Sequence, residues 1–594
     1  MRQSASRCDK FIQRGMKISL HTLLFLLLCG LLVACNAKNN VPATEVINEM
    51  KLRQGEIISC GPPHKEFGFV DFEMSCDASS KNDFNIAVSL LHSFEYDEAE
   101  KIFAKVINEN PGCVMAYWGV AMCNFHALWD PPTEPELQKG SKAIEIAKSI
   151  KGKTERETAY INALATFYND WLNSDHRSRS VAYEKAMYML HSDYPNDKEA
   201  AVFYALALNA SAAVTDKTYS NQKKAAAILN GLYPGETDHP GIIHYLIHTY
   251  DYPALAELAL PAARKYAGIA PSSAHALHMP SHIFTRLGLW DECISSNLRS
   301  VASAKCYAEQ SGIKGHWDEE LHGIDYLVYA YLQKGQNDSA KALIKYLETF
   351  TLVEPFNFKV AYAFAASPSR YVLENKNWNA ASSLVINPTN VPWNKYPWQE
   401  AIVYFTRLMG AAHGKNITAA ASSLQKLLKI RDTLLNQNDL YKAGQVAVQI
   451  KTGEAWIAFA AGHSEKALRL MKQAADMEDS TGKHPVTPGE VLPARELLGD
   501  MYFSLKKYRE ALLHYKSALE KSPNRFNSLY GAASAAAGVG DVKAAQLYYT
   551  KLINNSVQGS YQRAELMSAD TYLKKHKSLM AQKRVDGGGQ WTGR

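Results

Sequence analysis

The sequence predicts an all-α protein in which helical hairpins stack into an α–α superhelix. Three observations predict this fold. Helical spacing of apolar residues begins near Phe84 and continues to about Lys577, strand signals are scarce, and small and aromatic residues recur every 34 residues. Because one helical hairpin cannot bury its apolar face alone, such repeats stack on their neighbours and enclose a concave groove.

The clearest repeat unit covers residues 492–523. Its Ala511 and Tyr515 return 34 residues later as Ala545 and Tyr549. Small residues let the two helices of a unit approach, and aromatic residues fill the space between neighbouring hairpins. The spacing resembles the tetratricopeptide repeat (TPR), whose period is 34 residues. Further units are marked by Ala87, Ala99, Phe103 and Pro111, by Tyr117, Trp118 and Ala121, by Cys293 and Ala340, and by Ala455, Ala467 and Ala474.

The N-terminus has the features of a secretory leader. Basic residues precede a short apolar run at 23–32, which is too short for a comfortable membrane span. The ending L-V-A-C resembles a bacterial lipobox, which implies cleavage before Cys35 and lipidation of its thiol. An ordinary signal peptide, or an anchor that is not cleaved, is the alternative, and Met16 is a second candidate start. Asn36 after the lipidated cysteine favours the outer membrane, with the bulk of the chain periplasmic or surface-exposed.

The predicted organisation has five segments. A lipoprotein signal peptide covers 1–34, and a lipidated tether with an irregular entry segment covers 35–80. An N-terminal TPR-like superhelix with a histidine-rich groove covers 81–360, C-terminal TPR-like repeats cover 361–577, and a flexible tail covers 578–594. Most of the formal charge of +6 lies in the leader. Bulk charge therefore does not indicate nucleic-acid binding.

Six cysteines remain beyond the lipidated one, in a compartment where disulfides persist. Cys76 and Cys113 flank the first helical hairpin and are candidates to pair, as are Cys60 and Cys76. Buried free thiols are the alternative. No C-x-x-C occurs in the sequence, which argues against a zinc site made of thiolates.

The histidines are concentrated in the middle of the chain. Eight of 19 lie in three blocks: H-P-G-I-I-H-Y-L-I-H-T-Y-D at 239–251, H-A-L-H-M-P-S-H at 275–282 and H-W-D-E-E-L-H at 316–322. Spacings of three, four and seven residues place such side chains on one face of a helix. Two facing stripes of imidazole can converge on a metal ion, with zinc, iron or manganese suited to imidazole with carboxylate help. The predicted ligands are His244, His248, Asp251, His275, His278, His282, His322 and Asp325.

Four further residues are candidates for the groove: His92, His126, His239 and Arg286. For His92 and His126 the alternative is packing against tryptophan, and for Arg286 it is an ion pair with Asp291. His484 is predicted to be a turn element and Ser281 a helix cap. Tyr245 stands where an H-E-x-x-H protease has its glutamate, which argues against that class. Pro280 either starts its helix late or kinks it.

Several blocks together resemble a family of bacterial TPR proteins without an established activity. They are L-L-H-S-F-E-Y-D-E-A (90–99), A-Y-W-G-V-A-M (116–122), H-A-L-W-D-P-P (126–132), H-P-G-I-I-H-Y-L-I-H (239–248), H-A-L-H-M-P-S-H-I-F (275–284), D-Y-L-V-Y-A-Y-L-Q (325–333) and K-H-P-V-T-P-G (483–489). The H-A-L-H-M-P-S-H block is the most specific of them. Ala127 departs from the proline that such proteins tend to show. The resemblance implies the repeat fold and a lipid-anchored envelope protein, but no reaction.

Two functions follow as hypotheses. The first is a lipid-anchored scaffold of the bacterial envelope that binds a protein or peptide in its groove. The second is a metal-dependent enzyme, hydrolase-like, built on the superhelix with the histidines as ligands. A metal-storage or heme-handling lipoprotein is a third, weaker idea. The metal hypothesis requires that the His244/His248 and His275/His282 faces approach each other.

Overall fold

A computed structural model describes residues 41–62, 66–128, 131–213, 216–556 and 563–586. The predicted signal peptide, the lipidation of Cys35 and the last eight residues lie outside these ranges. No described helix combines the length and the apolar character that crossing a membrane requires.

The regular structure of the described chain is almost entirely helical, as predicted. Helices α1 to α14 are Thr44–Asn48, Lys81–His92, Tyr96–Glu109, Val114–Cys123, Glu134–Ser149, Glu155–Tyr168, His176–Asp193, Lys198–Ser211, Ser220–Leu232, Pro240–Tyr250, Ala256–Ile269, Ala274–His278, Pro280–Leu287 and Trp290–Ser311. Helices α15 to α27 are Asp318–Gln333, Asn337–Leu347, Phe358–Glu374, Trp378–Ser382, Pro397–His413, Ile417–Asn436, Leu440–Ala460, Ser464–Thr481, Ala494–Ser504, Tyr508–Lys521, Phe526–Gly538, Val542–Asn555 and Ala564–Asp586.

Little else in the described chain is regular. Two-residue strands β1 (His316–Trp317) and β2 (Val353–Glu354) pair in parallel. Short 3-10 helices cover Ala78–Ser80, Tyr233–Gly235 and Trp393–Lys395. Within the predicted flexible tail the backbone of α27 is helical as far as Asp586, and the rest of that tail lies outside the described residues.

The hairpins share one turn. After the first helix comes one capping residue, then a residue with left-handed backbone, then one residue before the second helix. The amide after the left-handed residue donates to a carbonyl five residues back, which satisfies one of the last carbonyls of the helix. The left-handed residue is Gly335, Lys376, Lys415, Asn438, Gly462, Lys506 or Gly540 in seven of these turns, and Phe94 in the first. Gly288 is also left-handed but follows α13 directly.

Small residues and tyrosines make the stack close-packed. A Cβ atom added to Gly499 or Gly531 would collide with the ring of Tyr515, which fills the space between two hairpins. This is the packing that the repeat pattern predicts. Helices α15 and α17 pack directly on each other. The stack is therefore continuous across the predicted domain boundary at residue 360.

The entry segment is irregular, as predicted, but from residue 41 onward it is not a tether. Met50, Phe67 and Phe72 are buried against the first hairpins. Backbone amides of this segment donate to the carboxylate of Glu98 at 2.9 Å and to that of Glu157 at 2.8 Å. Apolar burial and these hydrogen bonds hold the segment on the superhelix.

Two disulfides strengthen the first half. Cys76 pairs with Cys113, one of the two predicted pairings. The other pairing is wrong, because Cys60 lies beside α14 and pairs with Cys306, 246 residues away. The free cysteines among the described residues, Cys123 and Cys293, are buried.

The C-terminal repeats fold back onto the middle of the chain. The indole Nε1 of Trp290 donates to the carbonyl of Asn524 at 3.0 Å. Beside this contact the guanidinium of Arg525 is fully buried and pairs with Glu374 at 2.6 Å and Glu496 at 2.8 Å. The superhelix thus closes on itself through a buried ion network rather than staying open.

Removing the cation of this network tests the closure. Arg525→Met leaves two buried carboxylates without their partner, which we expect to cost about 3–5 kcal/mol of unfolding free energy. The measurement is the midpoint of urea denaturation, with the exposed Arg509→Met on α24 as the control. Equal midpoints for the two variants would contradict the closed arrangement.

Candidate metal centre

The histidine blocks lie on four helices that meet in the interior. His244 and His248 are on α10, His275 and His278 on α12, and His322 on α15. Pro280 is the first residue of α13, which carries His282. Met279 between α12 and α13 keeps helical angles, so α13 starts at Pro280 directly after α12. Helix α12 contributes His275 to one group of histidines and His278 to a second group, which His282 of α13 joins.

The first cluster consists of His244, His248 and His275. The Nε2 atom of His244 lies 2.9 Å from that of His248 and 3.2 Å from that of His275. Two nitrogen ligands at 2.0–2.1 Å from a tetrahedral ion lie about 3.3 Å apart. The prediction that the two histidine faces approach each other is therefore confirmed, at a spacing that suits a common ion.

Hydrogen bonding fixes the tautomer of His244. Its Nδ1 atom is 2.7 Å from the carbonyl oxygen of His92, which only accepts, so Nδ1 carries the proton. Burial lowers the pKa of His244 to about 3, so the ring is neutral and Nε2 holds a lone pair. The Nε2 atoms of His248 and His275 both lie close to that lone pair. A bound cation would be a common partner for the three nitrogens.

The second cluster consists of His278, His282 and His322, all buried. The Nε2 atoms of His278 and His282 are 3.1 Å apart, and the ring centroids of His278 and His322 are 4.2 Å apart. The clusters are neighbours, because the ring centroids of His248 and His282 are 6.3 Å apart. Burial lowers the pKa of His278 and His322 well below the ordinary value.

In the second cluster two lone pairs face each other. His278 Nδ1 donates to the Oδ1 of Asn297 at 2.6 Å, and the amide of Asn297 donates to a backbone carbonyl, which fixes its orientation. His282 Nδ1 donates to the Oδ2 of Asp251 at 3.1 Å. Both rings are buried, and burial lowers the pKa of each. Their Nε2 atoms therefore carry unshared pairs that face each other. The hydroxyl of Tyr326 lies 3.3 Å from Nε2 of His282 but donates to the carbonyl of Val486. A cation between the two nitrogens would remove their repulsion.

The helical spacing predicted that Asp251 joins His244 and His248 as a ligand. The structure places Asp251 elsewhere. Helix α10 ends at Tyr250, so Asp251 leaves that helical face and turns to His282. Arg286 Nε donates to its carboxylate at 2.8 Å, and the ammonium of Lys483 lies 3.6 Å away. These cations hold the pKa of Asp251 well below its usual range despite burial. Asp251 thus orients the ring of His282, an arrangement common around metal-binding imidazoles.

The ion pair between Arg286 and Asp291, given above as an alternative, is also wrong. Arg286 pairs with Asp251, whereas Asp291 pairs with Lys334 at 2.8 Å. The prediction that Asp325 is a ligand is wrong as well. Its carboxylate forms a buried ion pair with Arg370 instead of joining the histidines. Burial raises the pKa of Asp325 to about 6, and the guanidinium opposes this rise.

A third group, His92, Glu199 and His239, is complete without an ion. Glu199 accepts from His92 Nε2 at 2.9 Å and from His239 Nε2 at 2.8 Å. The remaining nitrogens accept from the hydroxyl of Tyr245 and the amide of Ile242. Every nitrogen here has a complementary partner, so this group is a packing network. It supports the first cluster, because the carbonyl of His92 accepts a hydrogen bond from His244 Nδ1.

The other candidates lie apart from the clusters. His126 lies 3.5 Å from Glu136 and packs on Tyr96. His484 accepts from the amide of Val486, which makes it the predicted turn element. Ser281 is not a cap, because Met279 precedes α13 and the hydroxyl of Ser281 is buried among the described residues without a hydrogen-bond partner.

Phe94 is a site residue that the sequence reading missed. Its ring centroid is 4.5 Å from that of His244 and 5.7 Å from those of His248 and His275. A phenylalanine with φ of 60° is costly, and the equivalent turns elsewhere carry glycine, lysine or asparagine. A phenylalanine at this turn position, unlike the residues of the other hairpins, is the sequence signal that would have identified Phe94.

Comparisons with known proteins add little. No family model and no curated protein matches the sequence. One solved structure with some likeness is a complex titled "Structure of Naa15/Naa10 bound to HypK-THB", with 11% identity over 85% of this chain and 80% of that chain. Its TM-score of 0.23 carries no argument about function. The all-α repeat fold rests on the helices described above.

The buried neutral state of His244 predicts a pH dependence. The pKa is about 3 in the folded chain and 6.5 ordinarily, so below pH 6.5 the unfolded chain binds a proton that the folded chain does not. Stability is complete above pH 6.5 and falls as pH drops, by about 1.4 kcal/mol per pH unit for this group.

We expect the metal-free protein to lose about 2 kcal/mol more than His244→Asn between pH 6.5 and 4.5. Asparagine keeps a donor for the carbonyl of His92 without a titrating ring. Urea denaturation at each pH measures the difference. The same loss in both proteins would show that His244 is not held neutral.

Proposed function

We propose that the protein binds two metal ions, one in each three-histidine cluster, and is a metal-dependent enzyme of hydrolytic type. The observation that carries the proposal is the pair of Nε2 lone pairs of His278 and His282, 3.1 Å apart. Hydrogen bonds from both Nδ1 atoms fix these tautomers, and burial keeps the rings neutral.

The donor set supports zinc first. Each cluster offers three imidazoles, and neither contains a thiolate or a carboxylate. Neutral imidazole suits zinc, copper, iron and nickel, whereas manganese and magnesium favour oxygen ligands. Three imidazoles also leave one position of a tetrahedral zinc ion for water or substrate.

The partial exposure of the first cluster supports an enzyme over a storage site. His248 and His275 are partly exposed, whereas the second cluster is buried. A divalent ion bound by three imidazoles lowers the pKa of a coordinated water to about 7 and so supplies a nucleophile near neutral pH.

Protein binding by the helical repeats is a second candidate, favoured by the stacked-hairpin fold itself. Part of the groove is filled by the chain. The carbonyl of Val486 accepts from Tyr326 at 3.1 Å, and that of Gly489 accepts from Arg370 at 2.9 Å. A protein or peptide partner would therefore need another part of the concave face.

We also propose that the chain is anchored to the bacterial envelope through a lipid on Cys35. The two disulfides, Cys60–Cys306 and Cys76–Cys113, support an oxidising compartment of this kind. Incorporation of labelled palmitate into wild type, and its loss in Cys35→Ser, is the test of the lipid.

Metal content tests the central proposal. We expect two zinc or cobalt ions per chain by elemental analysis, and one ion in His278→Ala/His282→Ala because one cluster is left. His244→Ala/His275→Ala should likewise keep one, and the exposed His463→Ala should keep both. A wild-type protein that stays metal-free after dialysis against zinc, while folded by circular dichroism, would refute a metal role.

Asp251 should tune the second site without binding the ion. Asp251→Asn keeps the shape but weakens the acceptor for His282 Nδ1, and loss of such partners typically costs 10–100-fold in metal affinity. Competition with a chromophoric chelator measures this affinity. The expected result is weaker binding of one ion and unchanged binding of the other, and uniform weakening of both would contradict the assignment.

A further inference from the structure

A cavity of about 170 Å³ lies beside the first histidine cluster. Its walls come from the entry segment, the turn between α2 and α3, the end of α4, and from α5, α14 and β1. The Cys60–Cys306 disulfide ties the entry segment to α14, next to Tyr307 in the wall. Phe94 lines the cavity and also contacts all three histidines of the first cluster.

Four aromatic residues line the cavity beside its charged side chains. The rings of Tyr307 and Trp317 stack with centroids 4.2 Å apart, and those of Phe94 and Tyr96 stack at 5.5 Å. Trp317 is held in place by the pairing of β1 with β2. Aromatic faces attract organic cations through their negative electrostatic potential. A cavity of this size accommodates a molecule about as large as benzene.

The pairing of charges in the wall leaves Glu95 without a basic partner. The other lining acids have one: Asp97 pairs with Arg53 at 2.8 Å, Glu100 with Lys139 at 2.8 Å, and Glu136 lies 3.5 Å from the imidazole of His126. Within the described ranges, Glu95 is held by a neutral donor, the hydroxyl of Ser273 at 2.6 Å. Burial raises the pKa of Glu95 to about 8, so a cation beside it would ionise this carboxyl group with release of a proton. Ser273 caps α12, the helix that carries His275 and His278.

We propose that this cavity binds an organic amine, whose ammonium group pairs with Glu95 and whose apolar part packs on the aromatic walls, and that it presents this amine to the first histidine cluster. The second half of this statement rests on the proposed metal function. The first half does not, because Glu95 and the aromatic walls are present whether or not a metal binds.

Calorimetry on the metal-free protein tests the pocket, with benzylamine, benzyl alcohol and benzoate as probes of equal size and different charge. We expect benzylamine to bind at least tenfold more tightly than benzyl alcohol, and benzoate not to bind. In Glu95→Gln the preference for the amine should disappear. Glu109→Gln, at the exposed end of α3, should retain it, and melting curves show that each variant folds.

Three results would overturn the amine pocket. They are equal binding of amine and alcohol by wild type, no binding of either compound, and an amine preference that survives in Glu95→Gln.

Cobalt-loaded protein tests the link to the metal. Benzylamine should change the visible cobalt spectrum of wild type and leave that of Glu95→Gln unchanged. An amine that binds without altering this spectrum overturns the placement beside the metal. Failure to bind cobalt refutes the metal function instead and leaves the calorimetric result standing.

Discussion

Three hydrogen bonds made by imidazole Nδ1 atoms determine what the interior of this protein can do. His244 donates to a backbone carbonyl, His278 to Asn297 and His282 to Asp251. Each bond places the proton on the outer nitrogen and leaves a lone pair on the inner one. Burial prevents a second proton from binding, so the rings remain neutral ligands. A set of histidines becomes a candidate metal centre through this orientation.

The third group shows that proximity alone does not make such a centre. His92 and His239 are as close together as the other histidines, but Glu199 accepts a hydrogen bond from each. Nothing in that group remains for an ion to satisfy. The same residue type therefore stabilises the fold in one place and offers ligands in the next, and the difference lies in the number of acceptors nearby.

Closure of the superhelix supports the site from a distance. Lys483 reaches Asp251 from the segment after α22, and Tyr326 donates to Val486 in the same segment. These contacts exist because the C-terminal repeats return to the middle of the chain, where Arg525 is buried between two carboxylates. An open solenoid would leave Asp251 with one cation fewer. It would also expose the second cluster, which is buried here.

The sequence by itself determined the repeat period, the all-α fold and the gathering of histidines in neighbouring helices, and it offered Cys76–Cys113 as one of two candidate disulfides. These are local properties, because residue spacing along a helix decides which side chains share a face. Only the tertiary structure decided that Asp325 pairs with Arg370, that Asp251 turns to His282 and that Cys60 pairs with Cys306. Each of these partners comes from another layer of the stack, and no pattern along the chain encodes which layers meet.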